Sequence, residues 1–586
     1  MRKSFLLLAI MALCGIGVKA QWATPGTGYT YTMENLAAVS QGCVQDLGEG
    51  NYLINDDVVI SANDILAIGD DVQKITIEDE KGITVKGGIT CGNLEQETII
   101  TGYEDHEYGF YNLRLEDCTS ECTFAGVAFL RGCGFKVINS NVTFDGCAFM
   151  EFSTKSANAA IDFFQCNPII TNCLFMGNDG GAITSAVNAN GSPQIIDNSI
   201  ICNVTINENI PQINLGVGAA NDSIRIVGNY IEGGEFYMSG GIAIADLLGT
   251  GDTKVLLKDN MICNNRYGYN QQGYNISSLI IGNQILDNNA ELDPMNGGSG
   301  ISIYGMNANN KAVLRNNVIS GNLWGITAIY YNDIDMGTAD DPGNNIIYGN
   351  HNDGYGEDAE FALYVNSFSD INAIGNYWGQ NDEAYAESVI YHRPDLGDTY
   401  GLVTYSPIQT INPDVLSFMV LQEDNAFLPH DYEGVIDHEN HTIDIDIPVE
   451  YLQEPYMLCV RFEIPLGTVC GLESGETIDL TEPIVMPINT PHGDLAEWVI
   501  TLHIITGVEE QLENEVQIYS TLTEIVVDMP FAQANLNVYN TMGQRIYSEK
   551  TFDQQHNIST QGWAKGLYVV SVDAQGHNVS RSVVVR

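Results

Sequence analysis

Positive charge is what this chain lacks. Its 586 residues hold 23 Lys and Arg against 75 Asp and Glu, a formal net charge of −52 at pH 7. So acidic a surface repels nucleic acid and anionic lipid, which excludes both as partners. Paired CxxC zinc spacings are missing from its 13 cysteines, and no histidine lies between Glu107 and Asn350. Beyond the first 20 residues no run is apolar enough to cross a bilayer, so no transmembrane segment is expected. Those first residues, with Arg2 and Lys3 ahead of an apolar stretch and a small residue at Ala20, read as an export leader cut between Ala20 and Gln21. Lipidation at Cys14 is disfavoured by Leu13, which stands where a small residue is needed. Twelve cysteines remain in an oxidising compartment, where Cys459 and Cys470 could form one bridge.

What is abundant is an asparagine with apolar neighbours at fixed offsets. The position recurs at Val127, Cys147, Cys173, Asn198, Asn229, Asn260, Asn283, Asn317, Asn345 and Asn376. Two residues later every repeat is apolar, from Phe129 to Trp378, and three residues earlier all but the last two are Phe, Ile or Leu. Spacings of this length predict a solenoid. The segments are too short for helices and alternate like strands, so each coil must stack on the next to bury its apolar face. Stacking would place the asparagines in a ladder at a corner that tolerates left-handed backbone. A second strand recurs as "GGIAI", "SGISI" and "WGITA", giving three strands per coil.

These motifs, closing in "GNYWG", resemble the pectin-lyase-like right-handed parallel β-helix family over about residues 50–408. The resemblance implies an all-β fold and leaves function open, because the fold carries lyases, hydrolases, epimerases and adhesins. After Pro407 the repeat stops. Residues 412–507 alternate at strand spacing and resemble an Ig-like β-sandwich of secreted bacterial surface proteins. Residues 513–586 hold 5 basic and 7 acidic residues, against 15 and 68 in 21–512. Their "LNVYNTMGQRIYS" and "GLYVVSVDAQG" resemble the type IX secretion C-terminal sorting domain of Bacteroidetes. That resemblance implies the secretion machinery as partner, passage across the outer membrane, removal of the domain, and a cell-surface or extracellular location. The expected order is thus leader 1–20, β-helix with an N-terminal cap 21–408, and two small β-sandwich domains at 412–507 and 513–586.

Chemistry is harder to find. A lyase on this scaffold needs a Lys or Arg base beside carboxylates holding Ca2+. Lys258 and Arg315 occupy equivalent positions that alternation turns outward into solvent. The enlarged loop "YYNDIDMGTADDPGNN" offers Asp333, Asp335, Asp340 and Asp341 as oxygen ligands for Ca2+, or simply as a hydrated turn. Tyr330 and Tyr331, with Tyr267, Tyr269 and Tyr274, could stack on sugar rings or pack over coil edges. No catalytic residue is assigned. The reading is a surface protein that binds a glycan or host surface without catalysis; the alternative is a Ca2+-dependent polysaccharide lyase or a glycoside hydrolase.

Overall fold

The computed structural model describes residues 21–103, 111–154, 158–352, 359–505, 516–521, 523–530, 533–574 and 577–585. The leader with Ala20, and the glutamate-rich segment 507–515, lie outside the described residues. The chain divides into two compact units, Met1–Asn412 with Thr490–Gly493, and Pro413–Asn489 with Asp494–Arg586.

The first unit is a right-handed parallel β-helix. One stack holds 13 strands, from Val44–Gly48 to Ile346–Tyr348. Its parallel register sets Phe129, Phe149, Phe175, Ile200, Ile231 and Ile262 on successive rungs, as the repeat requires. The stack continues through Ile285, Ile319 and Ile347. The residues three before the corner form their own column, from Phe124 and Phe144 to Ile280 and Leu314. Both columns point inward and are buried. The other two strands of each coil merge into one 26-stranded sheet. The merger comes from Ser299–Arg315, which runs through the corner, pairing at its start with Tyr269–Gly273 and at its end with Ile276–Ile281.

The asparagine ladder is built by amides. Asn229 Oδ1 accepts from Asn198 N at 3.0 Å and from Asn198 Nδ2 at 2.9 Å, and the pattern repeats through Asn260, Asn283, Asn317 and Asn345 to Asn376. The left-handed residue is not the ladder asparagine, as expected, but the one before it: Asp197, Asp259, Asn316 and Asn344 have φ between +52° and +57°. That geometry turns the following side chain into the coil, where it meets buried amides. A second ladder stands five residues on, through Asn265, Asn288, Asn322 and Asn350. Earlier coils continue it at Asn178 and Asn203, and Gln212 accepts from Asn203 at 2.9 Å where Gly234 interrupts the series. Buried side-chain amides paired in this way repay their desolvation, and Asn265 Oδ1, at the Gly234 break, is buried without a donor.

A short helix, Met33–Val39, buries Met33 and Leu36 at the first coil. In the second unit, strands between Ser417–Val420 and Leu495–Ile505 form sheets of three, five and two strands around Phe418, Ile445 and Trp498. Cys459 and Cys470 are free thiols on different sheets, so the bridge between them is not formed. Strands from Gln517–Ser520 to His577–Val585 make antiparallel sheets of three and four strands with a separate apolar core.

Candidate functional site

On the merged sheet, alternation sends Ile242 and Ile244 inward and leaves Ala243 and Ala245 facing out. Register then stacks Asn214, Ala243, Asn270 and Ser302 in one outward row, continued by Thr327 and Tyr364. Beside it runs a second row of Ala245, Gln272, Tyr304 and Ile329. The two alanines leave a groove of about 370 Å³, walled at one end by Arg266 and Tyr267. Tyr267 is half-buried across Gly240, where an added Cβ would lie 2.4 Å from the ring; burial pushes its phenol up to about 12. Arg266 Nε donates to Asn296 O at 2.7 Å, and Nη2 donates to the same oxygen. Among the described residues no carboxylate lines the groove.

At the other end of these strands lies an aromatic shelf. Tyr304 and Tyr330 meet edge to face at 5.2 Å, and Tyr331 lies 5.2 Å from Phe368. Tyr330, Tyr331 and Phe368 are 47%, 50% and 52% exposed, a cluster of rings left in water. Tyr330 also has φ +58°, a conformation that costs a tyrosine about 1–2 kcal/mol. Its carbonyl accepts from Ser367 Oγ at 2.7 Å and from Phe368 N at 3.2 Å, so the next coil holds the corner in place. Tyr274 is half-buried against Gly249.

Four of the five expected tyrosines therefore sit on or beside one outward face, Tyr267 at the groove and Tyr274, Tyr330 and Tyr331 towards the shelf. Tyr269 does not. It is fully buried, its hydroxyl 2.7 Å from Ser278 Oγ, and a ring enclosed by the coil cannot stack on a ligand. Sequence reasoning missed Tyr304, whose signal was the parity of the "SGISIY" strand, and Phe368, which follows the strand Leu363–Ser367.

The acidic loop is organised on a guanidinium. Arg315, expected in solvent, is 8% exposed: Nη2 pairs with Asp335 and with Asp341 at 2.8 Å each, and Nη1 donates to Leu314 O and Asp335 O. Asp333 pairs with Lys311 at 3.1 Å instead. The four aspartates are not gathered into a cage, and among the described residues no group of three or more His, Cys, Asp or Glu is placed to hold a metal ion. Lys258, on the rung equivalent to Arg315, is exposed as expected and pairs with Asp259.

The outward row of Asn214 runs on towards the N-terminus through residues that the sequence reasoning missed: Thr184, Asp162, Lys136 and Arg114 precede it rung by rung. Burial raises the Asp162 carboxyl above its ordinary range, against the pull of Lys136.

Residues 511–586 match the family model described as a secretion system C-terminal sorting domain, and residues 257–383 match one described as a protein of unknown function (DUF1565). No curated protein matches the chain. Among solved structures, a mutant of the periplasmic alginate epimerase AlgG is similar at 9% identity over 65% of this chain and 82% of its own, with a TM-score of 0.36. The Dettilon tailspike protein is similar at 13% identity over 90% of this chain and 83% of its own, with a TM-score of 0.26. The tail is a sorting domain, and the chain is exported to the cell surface or the extracellular space.

Proposed function

We infer that this exported β-helix binds a glycan along the outward face of its coils, between the groove beside Tyr267 and the shelf of Tyr330 and Tyr331. One observation carries the reading: in a chain with 75 acidic residues, this face presents amides, hydroxyls and exposed rings, and among the described residues its groove has no carboxylate. Amides answer sugar hydroxyls in both donor and acceptor senses. Tyrosine rings offer a rigid apolar surface with a polar tip to the C–H faces of pyranoses. Retention of the exported chain on immobilised polysaccharides tests it. Tyr331→Ala is expected to weaken retention about tenfold, the equivalent of ~1.4 kcal/mol. Retention unchanged by Tyr331→Ala and Tyr330→Ala together would refute the assignment of the shelf.

A second reading, a polysaccharide-cleaving enzyme, is favoured by Lys136 and Asp162. They stand on neighbouring rungs of this sheet, a base type beside a carboxyl whose proton is held more tightly than usual. New reducing or unsaturated ends from any polymer, lost in both Asp162→Asn and Lys136→Met, would establish it.

A further inference from the structure

The charges around the groove bear on the ligand's class. Its side-chain amides at Asn209, Asn214, Asn270 and Gln272 make no hydrogen bond within the protein among the described residues, so their donors and acceptors face outward together. The single cation in the lining is Arg266, which directs two of its nitrogens at Asn296 O and keeps its third, Nη1, buried without a partner. The loops that supply the groove's rim carry Glu208, Glu235, Glu291 and Asp293, and apart from Arg266 no Lys or Arg. Asp293 is tied into its own loop by Asn296 Nδ2 at 2.9 Å, which leaves its charge at the rim. A polyanion approaching this groove meets a net negative rim on a molecule of charge −52, with Arg266 the one cation in the lining to set against it. A polyhydroxylated ligand without charge pays no such penalty and can use every unpartnered amide.

We propose that the ligand of this face is an uncharged glycan, its hydroxyls held by Asn214, Asn270 and Gln272 and its apolar ring faces set against Tyr304 and the exposed shelf. This rests on the glycan-binding reading. Tyr304 joins the two regions: it follows Ser302 outward on one strand and stands on the rung next to Gln272. Groove and shelf therefore form one continuous track across neighbouring coils, spaced about 4.8 Å apart.

Affinity electrophoresis of the exported full-length chain separates the outcomes. Xylan, mannan and mixed-linkage β-glucan serve as neutral probes, with polygalacturonate and alginate as acidic ones, each at low and at high salt. At least one neutral polymer should retard the protein equally at both salt levels, because no ion pair is there to be screened. Gln272→Ala should weaken that retardation about tenfold while barely moving the melting temperature, since the side chain makes no hydrogen bond within the protein among the described residues. Retardation by polyuronates alone, fading at high salt, would overturn the neutral-ligand proposal and leave glycan binding standing. Neutral retardation indifferent to Gln272→Ala and Tyr304→Ala would remove the groove from it. No retardation by any polymer would overturn the glycan reading and this proposal together.

Discussion

Ile285 has no solvent exposure and Gln284, its neighbour, faces water. Ile285→Asp should cost about 4 kcal/mol or more, because it buries an unpaired carboxylate, whereas Gln284→Asp should shift thermal stability by a few tenths. Equal shifts would mean that the rung register is wrong. Asn283 tests the ladder itself: its Oδ1 accepts from both Asn260 N and Asn260 Nδ2. Asn283→Ala leaves the buried Asn260 N without an acceptor and removes one of the three acceptors of Asn260 Nδ2, which keeps Ile226 O and Lys258 O, a loss of about 3 kcal/mol that chemical denaturation would read. Asp64 adds a pH test. Its carboxylate accepts from Gly26 N and Gly28 N at 2.8 Å and from Tyr29 N at 3.0 Å. Burial alone would raise its pKa, but the Thr24 hydroxyl and these amides outweigh it and hold the carboxyl below its ordinary value. A depressed folded-state pKa means stability present above the unfolded value near 3.8 and lost as pH falls below it. Asp64→Asn should therefore destabilise the N-terminal segment at neutral pH, with a deficit that shrinks on acidification; hydrogen exchange at Gly26 to Tyr29 would follow it.

At the scale of strands and loops, the rungs were legible because one residue type recurs where every coil has the same environment. The second ladder escaped notice because Phe152 and Gly234 interrupt the five-residue offset that relates it to the first. Tyr269 was misplaced for a different reason. Tyr267 and Tyr269 share parity, but the strand begins only at Tyr269, so alternation says nothing of Tyr267 and points Tyr269 inward. Arg315 was misplaced because alternation describes a bare sheet, and here the loop after Asp335 folds back over the strand. Removing that side chain tests the loop. Arg315→Ala leaves Asp335 and Asp341 without the cation they share, so the segment from Met336 to Gly343 should become the first site of limited proteolysis while the ladder amides stay protected from exchange. Cleavage elsewhere first would show that the loop holds its shape by other contacts.

For the whole molecule, export is the property that the chain's two units must serve together. The β-helix core draws on residues from Tyr31 to Val403, and the tail has its own core running from Val516 to Val585, with no residue in common. Each cluster can therefore exclude water by itself. Between the last strand before it, which ends at Ile505, and the sorting domain matched from residue 511 lies the start of "GVEEQLENE", rich in glutamate and without an aromatic. This composition makes it a candidate cleavage site, and it lies outside the described residues. Deleting residues 513–586 should thus yield a chain that folds with an unchanged β-helix melting transition yet stays in the periplasm, because the address is lost and the cargo is intact. In the full-length chain, mass spectrometry of the surface or released form should find peptides up to this segment and none from "VYNTMGQR" onward. Detection of Arg586 on the exported protein would show that the domain is retained after transport, and the segment would then be a spacer between folded parts and not a cleavage site.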